Sequence, residues 1–488
     1  MSDGLTLTNG VAVPAGDIVP LPYDAFREGV LSRTASAGRI VSLFGVQRAD
    51  GLLRLLAVVA DDRRHELAVL ATDVGDSFQS LTPDCPQAHL FEREVFEQHG
   101  VRPEGHPWLK PVRVHDLSNP YGFFTMLGQD VHEVAVGPVH AGVIEPGHFR
   151  FMCVGEVVHH LEIHLGYQHR GVEVALTGGP HPRSMLQAET LAGDTSVGHG
   201  TAYCQALEGL AGVVVPERGQ ALRAVALELE RLANHLGDLG ALANDVGFLP
   251  TAAYCGRLRG DALNVTTLLC GNRLGHRTVR PGGVAIDVDE AMVEAVAVAL
   301  EDIRRDAADA MDLFFDSRSS LARLERTGTV TAQACRDLGI VGPAARASGV
   351  ALDVRADHPA GWYAREAPAK AAEASGDVLA RANVRRTEVE RSIEFAARLI
   401  ADLPPGPVRA ACPPPAPDRL IVSMAEGWRG EIAHVALTDA AGRFARYKLT
   451  DPSFHNWTAL AMALRGEQVS DFPLCNKSFN LSYCGFDL

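Results

Sequence analysis

The stretch from Ala221 to Gly247, "ALRAVALELERLANHLGDLGALANDVG", reads as one long helix and decides the fold class. Glu228, Arg231 and His235 fall at i, i+3 and i+7 on one face. That face is either a cavity wall or a polar seam between helices. Outward from it the helical pattern continues. "DEAMVEAVAVALEDIRRDA" (289–307) puts Met292, Val296, Ala299 and Ile303 on one stripe. "TEVERSIEFAARLIADL" (387–403) does the same with Val389, Ile393, Ala396 and Ile400. Residues 156–402 therefore read as a mainly helical body. The proline-rich "LPPGPVRAACPPPAPD" (403–418) breaks it, since proline cannot sit inside a helix. Beyond the break, "RLIVSMAEGWRGEIAHVALTDAAGRFARYKLTD" reads as a β-meander, and residues 419–488 are assigned to a C-terminal sheet.

Before the body, "RIVSLFGVQ", "LLRLLAVVAD" and "HELAVLATD" are short apolar runs separated by turn residues. "CPQAHLFEREVFEQHGV" follows as a helix ending at Gly100. Together they predict a small α/β domain over residues 1–118, with the boundary in "DLSNPYGF" and the second domain over 119–488. "HEVAVGPVHAGVIEPGHFRFMCVGEVV" reads as a β-hairpin at the start of the body. The fold class is α+β.

A chain of 488 residues is too long for one core. The net charge of −15 leaves no basic stripe for phosphates, so no nucleic-acid partner is expected. No apolar run reaches the length of a membrane span, and no leader pattern opens the sequence. None of the nine cysteines forms a CxxC pair, so this chain is not expected to bind a zinc ion or an iron–sulfur cluster. "HHLEIH" (159–164) sets His160 and His164 at i, i+4 but lacks the glutamate of a zinc hydrolase motif.

One further stretch raises a question. "AETLAGDTSVGHGTAYCQALE" (188–208) reads like the lead-in to a metal site without its ligands. Ala192 and Thr195 stand one turn apart where cysteines would serve.

"GPVHAG", "GEVVHHLEIHLGYQHRGVE", "LELERLANHLGDLGALANDVG", "GNRLGHRTVRPGGV" and "WRGEI" occur in that order over some 300 residues. Together they resemble the large subunit of membrane-bound, formate hydrogenlyase-type nickel–iron hydrogenases, a family homologous to the 49-kDa quinone-pocket subunit of complex I. "FEREVFEQHGVRPEGHPWLKPVRV" is similar to the 30-kDa subunit of complex I. By this resemblance "AGDTSVGHGTAY" keeps His199, Ala202 and Tyr203, while Ala192 and Thr195 replace one cysteine pair. In "SFNLSYCGFDL", Ser482 and Gly485 take the places of the second pair. Four thiolates hold a nickel–iron pair in that family, so the resemblance implies no nickel here.

The resemblance further implies a metal-free cavity for quinone beside an iron–sulfur cluster held by a partner. His140 matches the first histidine of the Gly-Pro-x-His strand, His148 follows it after an insertion, and Asp245 takes the place of the aspartate that pairs with that strand. These three are the expected catalytic groups. His181, Ala192, Thr195, His199, Arg170, Glu173, Arg280, Glu431, Ser482 and Gly485 are expected around the cavity. Arg170 and Glu173 can also be read as a structural ion pair, and Glu431 as an exposed salt bridge after a turn. His159 and His276 are the expected cluster-facing residues, although His159 replaces an arginine and Gly275 the matching histidine.

The implied partners are an iron–sulfur small subunit, a ferredoxin-like electron-transfer subunit and antiporter-like membrane subunits. They would hold the chain on the cytoplasmic face of the cell membrane. The implied function is an oxidoreductase subunit of the hydrogenase or NADH:quinone oxidoreductase kind. The alternative is a non-catalytic scaffold or coupling subunit, and a nickel-dependent hydrogenase ranks last. No residue reads formate or NADH.

Overall fold

The computed structural model describes residues 4–115, 121–140 and 144–488. The expected domain boundary at 118/119 and residues 141–143 of the expected hairpin lie outside them.

The first unit is a four-stranded antiparallel sheet in the order Leu5–Leu7, Glu66–Val74, Leu53–Asp61, Arg39–Gln47. Its strands are near-continuous apolar runs because both faces are covered. Phe26 and Val30 of the helix Tyr23–Ala35 and Phe91 and Val95 of the helix His89–His99 join the core on one side. On the other, Val41, Phe44, Leu56, Val58 and Val69 share an apolar layer with Leu420, Val422, Met424 and Val435 of the C-terminal sheet. That second sheet runs Phe444–Thr450, Gly430–Thr438, Arg419–Gly427, and Val13–Pro14 adds its edge. The two ends of the chain are thus packed face to face.

Between them lies the helical body. Glu217–Asp245 is its axis and packs against Leu249–Cys270 and Val378–Ala401. The axis is buried on the side of Leu229, Leu232, Leu236 and Leu239, and also on the side of Glu228, Arg231 and His235.

Two expectations need correction. The hairpin is part of a three-stranded sheet, in the order Val157–His164, His148–Val154, Val131–Val136, and helix does not start at 156. The register shifts between Val158 and His160, and this bulge at His159 interrupts the period-two pattern that would reveal a strand. His160 and His164 therefore lie on a strand, not on a helix face. The C-terminal sheet ends at Thr450, and Pro452–Ala463, Phe472–Phe479 and Tyr483–Asp487 are helices. The Asp451 side chain accepts from the Ser453 amide at 2.8 Å, with Pro452 opening the first turn, so the chain is capped into a helix where the meander stops.

A buried ion pair ties the two sheets. Arg39 Nη1 donates to Glu431 Oε1 at 2.6 Å and Arg39 Nε to Asp62 at 3.0 Å. Arg39→Ala leaves the Glu431 carboxylate buried without its partner. We expect a loss of about 3–5 kcal/mol in chemical denaturation. A loss within the range of an exposed pair would show that the two sheets do not depend on this contact.

Candidate functional site

The loop that poses the ligand question precedes the helix Ser196–Ala211. Ala192 and Thr195 are fully buried there. The turn Gly427–Gly430 of the C-terminal sheet brings Trp428 and Arg429 onto this loop. Arg429 grips Asp194 with two nitrogens, at 2.6 and 2.8 Å, and its guanidinium lies 3.9 Å from the Trp428 ring centre. Thr195 Oγ1 accepts from Trp428 Nε1 at 3.1 Å and from Arg429 Nη1 at 3.2 Å. The amides of Val197 and Gly198, at the start of the helix, donate to Glu230 at 2.7 and 3.0 Å.

One turn further along this helix, His199 Nε2 lies 2.9 Å from Asp451 Oδ2. His199 Nδ1 is 3.2 Å from His434 Nε2, and His434 Nδ1 is 3.0 Å from the Tyr447 hydroxyl. One assignment satisfies every atom with both rings neutral. Tyr447 donates to His434, His434 to His199, and His199 to Asp451. All four side chains are buried. Burial opposes charge on Asp451, but the His199 hydrogen bond and the nearby Arg429 hold it below the usual carboxylate range. Burial and the neighbouring His199 push His434 far down, so it stays neutral.

Gly485 explains the missing ligand on the other side. A Cβ built there would stand 2.7 Å from the Asp451 carboxylate, so a side chain and this carboxylate cannot share the space. Ser482 Oγ accepts the Gly485 amide at 2.9 Å as a helix cap. Burial pushes the neighbouring Cys484 thiol up to about 11 and the Cys475 thiol up to about 12, away from the thiolate form a metal requires. Among the described residues no three His, Cys, Asp or Glu side chains are grouped to hold a metal ion. The residues do not fit a nickel–iron pair.

The other expected residues divide into three groups. The first reaches this centre. Arg170 donates to the carbonyls of Thr190 and Leu191 and, at 3.4 Å, to that of Cys484, pinning the loop to the C-terminal segment. The hairpin arrives from the far side, where Glu145 accepts the Tyr483 amide at 3.3 Å and the His140 ring lies 6.1 Å from that of Tyr483. His276 Nε2 lies 3.4 Å from Ser196 Oγ, and both His276 and Arg280 flank Glu189 at 3.6 Å.

The second group is structural. Glu173 does not pair with Arg170; Lys448 and Arg446 hold it at 2.9 Å each. Glu431 does form a salt bridge, with Arg39, but a buried one between the sheets and not the exposed one expected, because the two sheets close over it. The Glu228–Arg231–His235 face is the interhelical seam, and His235 Nε2 lies 2.7 Å from Glu388 Oε2 on Val378–Ala401.

The third group stands apart. His159 is exposed at its bulge, and exposed His181 lies 3.1 Å from the Thr177 carbonyl. The expected His–Asp pair is not formed. Asp245 ends the axial helix, and its carboxylate is taken by Lys477 of the helix Phe472–Phe479. His148 Nδ1 turns instead to the Gly137 carbonyl at 3.2 Å.

Residues 245–418 match the family described as the 49 Kd subunit of respiratory-chain NADH dehydrogenase, and residues 32–123 that of its 30 Kd subunit. Formate hydrogenlyase subunit 5 of Escherichia coli (strain K12) is 30% identical, over 83% of this chain and 76% of the relative. The carbon monoxide-induced hydrogenase of Rhodospirillum rubrum is 33% identical, over 72% of this chain and 97% of the relative. The chain belongs to the family that joins these hydrogenase subunits to the 49-kDa subunit of complex I. Within this family, NADH-quinone oxidoreductase subunit 4 of Thermus thermophilus is 31% identical, over 71% of this chain and 91% of the relative. The fold is shared with a chain of an archaeal respiratory membrane complex, the membrane-bound sulfane sulfur reductase. The TM-score is 0.69 at 24% identity, over 75% of this chain and 100% of that one.

Sequence reading missed Asp194, Glu230, Arg429, His434, Tyr447 and Asp451. Only Asp451 had a local signal, the Asp-Pro-Ser of a capped helix start.

If the Asp451 carboxylate occupies the place of the last ligand, Gly485→Ala should cost about 1–3 kcal/mol through overpacking. Asp451→Ala in the same chain should relieve part of that cost. Denaturation of both single variants and the double variant measures the coupling, and strictly additive losses would contradict the contact.

Proposed function

We propose that this chain is the acceptor-side subunit of a membrane-associated, complex I-like oxidoreductase assembly, and that its metal-free centre delivers protons to a quinone-class acceptor. One observation carries the reading. Gly485, at one of the positions matched to the family's metal-binding cysteines, packs against Asp451, which holds His199, and Thr195, at another, stands beside the buried Glu230 at the start of the same helix. Reduction of a quinone to a quinol takes two electrons and two protons. The electrons would come singly from an iron–sulfur cluster of a partner subunit. The protons need groups that hold them at neutral pH. Burial, helped by the charge of Asp194, pushes Glu230 up to about 8, so it is a carboxylic acid at neutral pH. Asp451 fixes Nε2 of His199, and the chain from Tyr447 through His434 and His199 links this carboxylate to a buried hydroxyl.

In this reading His140 is the histidine the hairpin presents to the acceptor, and His148 braces the hairpin through the Gly137 carbonyl. Asp245 acts through Lys477, by fixing the C-terminal helix beside it. The partners are an iron–sulfur small subunit, a ferredoxin-like subunit and antiporter-like membrane subunits. Among the described residues no helix is long and apolar enough to cross a membrane, so attachment would run through those partners.

A second reading has its own support. The Asp194–Arg429 pair holds the loop at Thr195 and the Asp451 carboxylate packs on Gly485, closed contacts of the kind a scaffold or coupling subunit requires. The pH profile separates the two. A general acid must be protonated, so quinone-linked turnover of the assembled complex should fall as pH rises through about 8. Glu230→Gln should lower turnover about 10²-fold or more and remove that limb. Unchanged turnover and an unchanged limb in a complex of normal composition would favour the scaffold.

A further inference from the structure

A second polar system lies behind the centre, on the seam between Glu217–Asp245 and Val378–Ala401. Four carboxylates, Glu228, Asp353, Glu388 and Glu426, meet three guanidiniums, Arg231, Arg346 and Arg355, and none is more than 4% exposed. Arg355 binds Glu228 at 2.9 Å and Asp353 at 2.7 Å. Arg346 binds Glu388 at 2.7 Å and Glu426 at 2.8 Å. Arg231 lies 3.3 Å from Glu228 and 3.4 Å from Glu388. An unmatched buried charge is costly, so the excess acid must hold a proton or His235 must become a cation. Burial keeps His235 below its ordinary value despite Glu388.

Among the four acids, Glu426 is the one left over. Its guanidinium partner is Arg346, which it shares with Glu388, and its other contact is the Val354 amide at 3.0 Å. Burial and the Asp353 charge raise it to about 7, against the pull of Arg346 and Arg231. The other three are held below the usual range by their arginines.

Glu426 also lines a cavity of about 330 Å³ between the Asn9–Gly10 turn, the helix Ser196–Ala211 and the segment Ala360–Tyr363. Val214, 83% exposed, stands on its rim. The remaining charged groups facing the cavity are already committed. Arg223 pairs with Glu208 at 2.8 Å, Arg355 with Glu228 and Asp353, and His358 with Asp62 at 3.0 Å. Arg231 donates to the carbonyls of Glu426 and Gly427, directly ahead of Trp428 and Arg429 in the centre.

We infer that Glu426 is a second proton-exchange site of this subunit, loaded from solvent through this cavity and placed to balance charge arriving at the Asp194–Arg429–Asp451 centre. The step is a protonation, a carboxylate and a water-borne proton becoming a carboxylic acid. Only the event that drives it rests on the proposed function.

Infrared titration of the purified full-length chain tests this. The expected result is a carboxylic-acid carbonyl band that titrates near pH 7, shifts in D₂O and is lost in Glu426→Gln. Val214→Trp, at the rim, should keep the band and slow its deuterium shift. With the band of Glu230 removed by Glu230→Gln, a band titrating near pH 7 that survives the further change Glu426→Gln, or a deuterium shift unaffected by Val214→Trp, would overturn the proposal.

Unfolding gives an independent readout. A carboxyl raised in the folded state stabilises fully below its unfolded value and loses that stabilisation as pH rises through the folded one. The natural chain should lose stability between about 4.5 and about 7 relative to Glu426→Gln, and parallel curves would overturn the proposal. The titration is read without any acceptor. Failure of quinone reduction with the band intact would count against the proposed function and leave this proton site standing.

Discussion

The carboxylate of Asp451 is the contact on which the centre depends. It caps the helix that ends the C-terminal sheet, pairs with His199, and fills the space that a side chain at position 485 would need. Each role constrains the others. The cap fixes where the carboxylate stands, and the histidine keeps it charged in a buried place. Gly485 can then be nothing larger. Position 485 is thus more than a missing side chain, because its space is occupied by a carboxylate.

Buried charge elsewhere follows the same rule of pairing. Arg429 with Asp194, Arg39 with Glu431 and Asp62, and Lys448 and Arg446 with Glu173 are all matched charges. Glu230 beside the centre is held by two backbone amides, Glu426 behind it shares Arg346 with Glu388, and burial raises both. Groups of that kind can carry protons at neutral pH, which paired carboxylates cannot. A redox subunit without its own metal needs such groups, and a passive scaffold does not.

The helical body was readable from the sequence because its period is local and long. The strands of the N-terminal sheet were readable as apolar runs, but not their burial against residues 420–435, which lie some 350 positions away. The strand Val157–His164 was hidden by its bulge, and the helices after Asp451 by the assumption that a meander runs on. At the site, His199, Thr195 and Gly485 were found through the family resemblance. Their partners were not, since His199 meets Asp451 across 252 residues and His434 across 235. No local pattern encodes such a meeting. The Asp245–histidine pair implied by the resemblance failed because Lys477 offers Asp245 a cation at the helix end.

The central claim is that the family's metal position has become a metal-free acid–base centre in this chain. Its most direct test is the nickel content of the assembled complex, purified from cells grown with nickel and measured by elemental analysis. The account predicts no nickel in proportion to this chain. Nickel stoichiometric with the chain, and retained after chelation, would contradict it.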